Sequence, residues 1–351
     1  MRIIYDVMEI ATALKPWLLE FLTNQNFDQI IYLDPDIVIY EPLTEVNQIL
    51  TTSDIVLTPH NLQPIPRDSK LTSEYNILIS GQYNLGFIGI NKFATSFLDF
   101  WKERLLHDCV VDIENQLFVD QRWVDFVPSY FNSFILKNKG YNVAYWNIHE
   151  RPIRSTGTKY FIGDTPLVFF HFSGFEMDHP ETLSKHSKSN PRVEVSAVPA
   201  LGLIMQEYKI LLNDFGYQHF KTFSYGYSTM ANGKHIDIYM RRAARDFLKH
   251  TYKTSNTKLP NPFDITELNK FYNFLKGSDD VNIFKSKIQN SYHLNRYQKQ
   301  VFAIRADLKL TFPKACTDPD DSVLSWINTF GVNEFDPELM QPVNNIPLQK
   351  T

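Results

Sequence analysis

An apolar run that opens on two β-branched residues, Ile30-Ile31-Tyr32-Leu33, stops at Asp34-Pro35-Asp36, and a second apolar run, Ile37-Val38-Ile39-Tyr40, follows. The first run predicts a buried strand. Pro35 lacks an N–H, so the ladder is expected to end there. Short apolar runs at 53–60, 81–91, 141–146 and 167–172 predict further strands. Helical spacing marks 11–22, 96–106 and 117–128, the last ending near Pro128. Residues 61–76 are polar and read as a loop over the strand ends. Strands alternating with helices to about residue 175 predict an α/β sheet.

The pattern changes after Gly174. Residues 184–192 are polar and basic. Val198, Leu201, Met205, Tyr208 and Leu212 then form a helical stripe, with Gly216 placed to cap it. Residues 237–252 and the stripe Ile265, Leu268, Phe271, Leu275 predict two more helices, the second stopped by Gly277. The last thirty-odd residues mix Pro, Asp and Asn and predict little regular structure. The resulting division is a sheet domain over 1–180, a linker loop over 181–195 and a mainly α-helical extension over 196–351.

Composition narrows the function classes. The 351 residues carry 35 basic and 39 acidic side chains, a formal charge of −4. That balance gives no broad nucleic-acid footprint. The two cysteines, Cys109 and Cys316, build no disulfide framework, and a reducing compartment is the default. No run approaches the ~18 apolar residues of a transmembrane helix. A cytoplasmic protein is expected, with peripheral contact at the inner face of a membrane left open.

The candidate chemistry sits at the ends of the apolar runs. Asp34 and Asp36 would lie at the carboxyl edge of a sheet, where open α/β folds place ligands. Two hard oxygen donors suit a divalent cation that keeps positions free for phosphate; on their own they also fit a turn. His171 lies inside an aromatic run, where it fits a core histidine or a third ligand. Gly86 and Gly174 stand where backbone can come close to another group.

Taken in order, Leu33-Asp34-Pro35-Asp36, Tyr83-Asn84-Leu85-Gly86, Asp120-Gln121 and His171-Phe172-Ser173-Gly174 resemble the glycogenin and lipopolysaccharide-galactosyltransferase group, glycosyltransferase family 8. The resemblance covers roughly residues 9–190. It implies a GT-A-like (Rossmann-like) nucleotide-diphospho-sugar transferase sheet, a UDP-sugar donor, and Mn²⁺ or Mg²⁺ held by Asp34, Asp36 and His171. It also implies Asn84 against the donor sugar, Asp120 and Gln121 by the anomeric carbon, retention of configuration, and a glycan or lipid-linked acceptor. Cationic help for the diphosphate would come from Lys185, His186 or Lys15. Lys15 aligns only loosely with a basic family position and reads as surface charge. Residues 225–252 and the loop near Lys185 are the expected acceptor side.

Two departures qualify the resemblance. Phe175-Glu176-Met177-Asp178-His179-Pro180 stands where the family has Lys-Pro-Trp. Only 33 residues precede Asp34, whereas a single βαβ unit takes about 30 or more, so the fold is expected to be N-terminally incomplete. Two other readings compete. One is a truncated transferase that binds without catalysis. The other is a haloacid-dehalogenase-like phosphohydrolase, with Asp34 as nucleophile, Asp36 as acid/base and Asp279-Asp280 as its late acidic motif.

Overall fold

A computed structural model describes residues 1–251, 258–277 and 293–341. Asp279 and Asp280 lie outside the described residues. The chain divides into two compact units, one spanning Ala11–Phe223, the other combining Met1–Ile10 with Ser224–Thr351. Composition changes near residue 180, but packing changes near residue 223. The reason is helix 199–214, which buries Leu201, Ile204, Met205 and Tyr208 in the same cluster as Phe170 and Phe172.

Helices α1 (Val7–Ala13) and α2 (Lys15–Thr23) open the chain, and Pro16 sits in the first turn of α2 as expected. Strand β1 (Gln29–Leu33) ends at the Asp-Pro-Asp turn, and β2 (Ile37–Ile39) follows it. After α3 (Thr44–Ile49) come β3 (Ile55–Leu57), α4 (Glu74–Ser80), β4 (Phe87–Asn91) and α5 (Thr95–Leu105). Phe97, Trp101 and Leu105 of α5 are buried on one face, as their four-residue spacing predicts. A hairpin of β5 (Val111–Asp112) and β6 (Leu117–Phe118) precedes a 3₁₀ turn over Arg122–Phe126, α6 (Val127–Tyr130) and β7 (Ser133–Ile135). Then come β8 (Ile153–Thr156), β9 (Lys159–Ile162), β10 (Thr165–Pro166) and β11 (Phe169–His171). Helices α7 (Pro199–Asp214) and α8 (Tyr217–Phe220) complete the unit.

The unit is mixed α/β. Its main sheet has the order β1-β4-β3-β7, and of its three pairings only β3 with β7 is parallel. A second pairing, β2 with β11, is antiparallel and sets His171 opposite Ile37.

Several local expectations fail for identifiable reasons. Residues 141–146 form bends and turns with one β-bridge, Val143 to Phe170, rather than a full strand; Asn142 takes a left-handed backbone (φ 53°). Residues 81–86 lead into β4 rather than belonging to it. The expected helix over 117–128 begins as a strand, and Pro128 opens α6 instead of ending a helix. The antiparallel meander β8–β9–β10 was not expected; its strands are polar outside and are joined through Gly157 and Gly163, both at positive φ.

The other unit is helical. It contains α9 (Ile238–Thr251), α10 (Leu268–Lys276), α11 (Arg296–Ile304), α12 (Ala306–Thr311), α13 (Asp321–Trp326) and α14 (Val332–Glu334). Its core gathers Met240, Phe271, Leu275, Tyr297, Val301, Phe302 and Ile327. The expected irregular tail is corrected by α13, whose start Asp320 caps by accepting from the Ser322 and Val323 N–H groups. The buried Arg241 guanidinium donates to the carbonyls of Arg2, Ile3, Tyr5 and Tyr227, which ties the first residues of the chain into this unit. No described helix is long and apolar enough to cross a membrane.

Candidate functional site

Two pairings build the site. The Asp34 N–H donates to the Gly86 carbonyl at 2.7 Å, which continues the β1–β4 register past Leu33. The Phe172 N–H donates to the Asp36 carbonyl at 2.8 Å, which extends β2–β11. Asp34, Asp36 and His171 therefore converge from two sequence segments. Each offers a ligand atom, and these atoms lie within 4.8 Å of one another. His171 Nε2 is 3.1 Å from Asp36 Oδ1. Burial works against ionising Asp36, but the hydrogen bond and charge from His171, a backbone N–H and the charge on Lys15 together outweigh it and hold the carboxyl below its ordinary value.

Lys15 is not a surface charge. It is 3% exposed, and its Nζ lies 2.9 Å from Asp120 Oδ2 and 3.3 Å from Asp34 Oδ1. It also donates to the Leu85 carbonyl at 2.9 Å and sits 4.8 Å above the Tyr32 ring. Burial alone would lower the ammonium. The two carboxylates overcome it and hold Lys15 well above its usual value. Tyr32 donates its hydroxyl to Asp34 Oδ1 at 2.8 Å. Asp34 is thus oriented by two donors before any ligand arrives.

Asn84 and Gln121 are buried and engaged within the protein. The Gly86 N–H donates to Asn84 Oδ1 at 3.1 Å. The Leu85 N–H and Asn84 Nδ2 both donate to Gln121 Oε1, and Gln121 Nε2 donates to the Ser80 carbonyl. Gly86 has a steric reason to be glycine: a Cβ there would lie 2.3 Å from His171 Cε1. The close approach read from the sequence is to the imidazole ring.

Gly174 has φ +74°, and a Cβ on it would lie 2.5 Å from Ser184 Oγ and 2.6 Å from His186 Cδ2. Its carbonyl accepts from the Lys185 N–H at 2.9 Å. The basic loop is therefore folded against the segment that carries His171. Lys185 and His186 are exposed. The protein packed along its ring, and then Lys185, lower the His186 imidazole, while Asp36 acts in the opposite sense. Arg192 staples this loop to the 66–72 loop: it pairs with Asp68 and donates to the carbonyls of Pro66, Lys70 and Thr72.

Sequence reading missed four contributors. Asn142 is fully buried and contacts Asn84, Thr58 and His171. His60 is buried beside Asn84, and burial pulls its imidazole down to about 4, so it is neutral at pH 7. Trp146 stands edge-on to His171 at 5.2 Å. Tyr32 is the fourth. Polar residues inside apolar runs, Asn142 above all, were the available signal.

No family model matches the chain. Two proteins of Bacillus subtilis (strain 168) are similar in sequence. Uncharacterized protein YfnD is 27% identical over 178 residues, which are 48% of this chain and 54% of that protein. Uncharacterized protein YfnF is 27% identical over 185 residues, 49% of this chain and 58% of that protein. The chain spans about half the length of these curated relatives. Among solved structures, a glycosyltransferase involved in the glycosylation of the major capsid of PBCV-1 aligns with a TM-score of 0.33 at 12% identity, covering 48% of this chain and 72% of that one.

The donor set suits a divalent ion. Two carboxylates and an imidazole offer oxygen and nitrogen donors of the kind Mn²⁺ accepts, and three ligands leave coordination positions for other oxygens.

Proposed function

We propose that this chain is a metal-dependent glycosyltransferase that moves a sugar from a nucleotide-sugar, a UDP-sugar by family resemblance, to a glycan or lipid-linked acceptor with retention of configuration. One observation carries the reading: Asp34, Asp36 and His171 bring three ligand atoms within 4.8 Å of one another. A bound Mn²⁺ or Mg²⁺ would supply Lewis-acid stabilisation of the departing diphosphate.

The chain's own residues supply the rest. Lys15 fixes the carboxyl groups of Asp34 and Asp120 in place, and the buried Asp120 sits where charge acts strongly. Asp120 and Gln121 are the groups assigned beside the sugar, where a carboxylate favours an oxocarbenium-like centre. Lys185 and His186 are assigned to the phosphates, in place of the family's lysine after His-x-x-Gly. The fold of their loop against Gly174 supports this assignment.

The test is a thermal-shift screen of nucleotide-sugars with and without Mn²⁺, followed by donor hydrolysis. A shift that requires both components, and hydrolysis that Asp36→Ala abolishes, is expected. Hydrolysis that persists in purified Asp36→Ala protein overturns the metal assignment.

A further inference from the structure

Behind His171 lies a chain of amides whose orientation is set by backbone. The Gly86 N–H can only donate, so the Asn84 atom it meets at 3.1 Å is the oxygen. The Leu85 N–H likewise fixes Gln121 Oε1, which meets Asn84 on its nitrogen side. With Asn84 Oδ1 settled as an acceptor, the Asn142 atom 3.1 Å from it is the nitrogen. The Asn142 oxygen therefore faces His171. His171 Nδ1 sees two acceptors, Asn84 Oδ1 at 3.1 Å and Asn142 Oδ1 at 3.3 Å. Only a protonated Nδ1 satisfies both. The other ring nitrogen, Nε2, is 3.1 Å from Asp36 Oδ1, to which it donates when it also carries a proton; that second proton is the one a cation would displace, since Nδ1 keeps its own.

We propose that Asn142, acting with Asn84, is a positioning residue that holds His171 with its proton on Nδ1 and so presents Nε2 to a cation between the two aspartates. The inference rests on the metal reading above and adds the groups that prepare the ligand. The residue type fits its place. Asn142 is fully buried, and its φ of 53° is a backbone state that asparagine tolerates better than most residues. Its nitrogen makes a second bond, to Thr58 Oγ1 at 2.8 Å, so the amide is held at both ends. The Trp146 edge and the Gly86 backbone confine the ring. Partners of this kind fix which nitrogen of a histidine is free to bind metal, and losing them typically weakens metal affinity about 10–100-fold.

The experiment uses the full chain carrying ¹⁵N-labelled histidine. In the metal-free protein, long-range ¹H–¹⁵N correlation, assigned by the signal lost in His171→Gln, is expected to show the proton on Nδ1. A bare Nδ1 overturns the proposal whether or not metal binds. Mn²⁺ is then titrated, and pulsed electron paramagnetic resonance asks whether a histidine nitrogen is bonded to the ion. Wild type should show that coupling. Asn142→Gly, which keeps the left-handed backbone accessible, should bind roughly tenfold more weakly. The double variant Asn142→Gly/Asn84→Ala should lose the nitrogen coupling while the aspartates still take up Mn²⁺. Unchanged affinity and coupling in both variants overturns the positioning role. Failure of wild type to bind Mn²⁺, with the proton nevertheless on Nδ1, refutes the metal reading and leaves the amide lock standing.

Discussion

Removing Lys15 while leaving its partners is the sharpest perturbation of this architecture. In Lys15→Met the buried Asp120 carboxylate, 2% exposed, loses the ammonium 2.9 Å away. Asp34 also loses a neighbour, but it is partly open to solvent and water can replace the ammonium. Breaking a buried pair from one side costs about 3–5 kcal/mol, because the remaining charge is stranded. For a cooperative unit of this size, about 2–4 °C per kcal/mol makes the expected fall in Tm about 6–20 °C. Four of the five tryptophans lie within Ala11–Phe223, so tryptophan fluorescence during thermal or urea unfolding reports mainly on that unit. The pH dependence follows from the sign of each shift. Lys15 is raised in the folded state, so its stabilisation is complete below its unfolded value and is lost only in strong alkali. Burial already raises the Asp120 carboxyl in the folded protein, against the pull of Lys15, and without the ammonium it is raised further. The deficit against wild type is then largest above that raised value and narrows as the pH falls through it and the carboxyl protonates. The double variant Lys15→Met/Asp120→Leu should recover most of the loss, since a buried pair replaced by apolar groups is often neutral. A loss below about 1 kcal/mol, the range of exposed pairs, would refute the reasoning. So would a double variant no more stable than the single one.

Three further outcomes are expected. Gly86→Ala should displace the His171 ring, because the new Cβ would lie 2.3 Å from Cε1; Mn²⁺ titration should show affinity falling by more than tenfold, and urea unfolding a loss of about 1–3 kcal/mol. Tyr208→Ala removes a ring stacked 3.8 Å from Phe172; the expected cost is about 3–5 kcal/mol by chemical denaturation, as for other large aromatic truncations. Arg192→Ala releases the staple between the 66–72 loop and the basic loop; limited proteolysis near Asp68 should accelerate while global unfolding changes little.

The parts of this protein legible in its sequence are those set by local patterning. The strand before Asp34, the helix bearing Phe97, Trp101 and Leu105, and the left-handed Gly216 after α7 all follow from period, proline or glycine. The parts that were not legible depend on partners distant in the chain. Lys15 reads as an exposed cation on a helix start, and only the fold reveals that Asp34 and Asp120 enclose it. Asn142 lies in an apolar run that satisfies strand patterning, yet its amide bonds to Thr58 and Asn84 go with a turn. The helix α13 hides in a segment rich in Pro and Asp because its start depends on a single cap, Asp320.

The central claim is that Asp34, Asp36 and His171 hold the cation through which a nucleotide-sugar binds. Calorimetric titration of a UDP-sugar into the protein, with and without Mn²⁺, tests it most directly. Binding that requires Mn²⁺, and that disappears in both Asp36→Ala and His171→Gln proteins that remain folded, is the predicted result. Equal binding in the presence and absence of the ion, or binding retained in both variants, would contradict it.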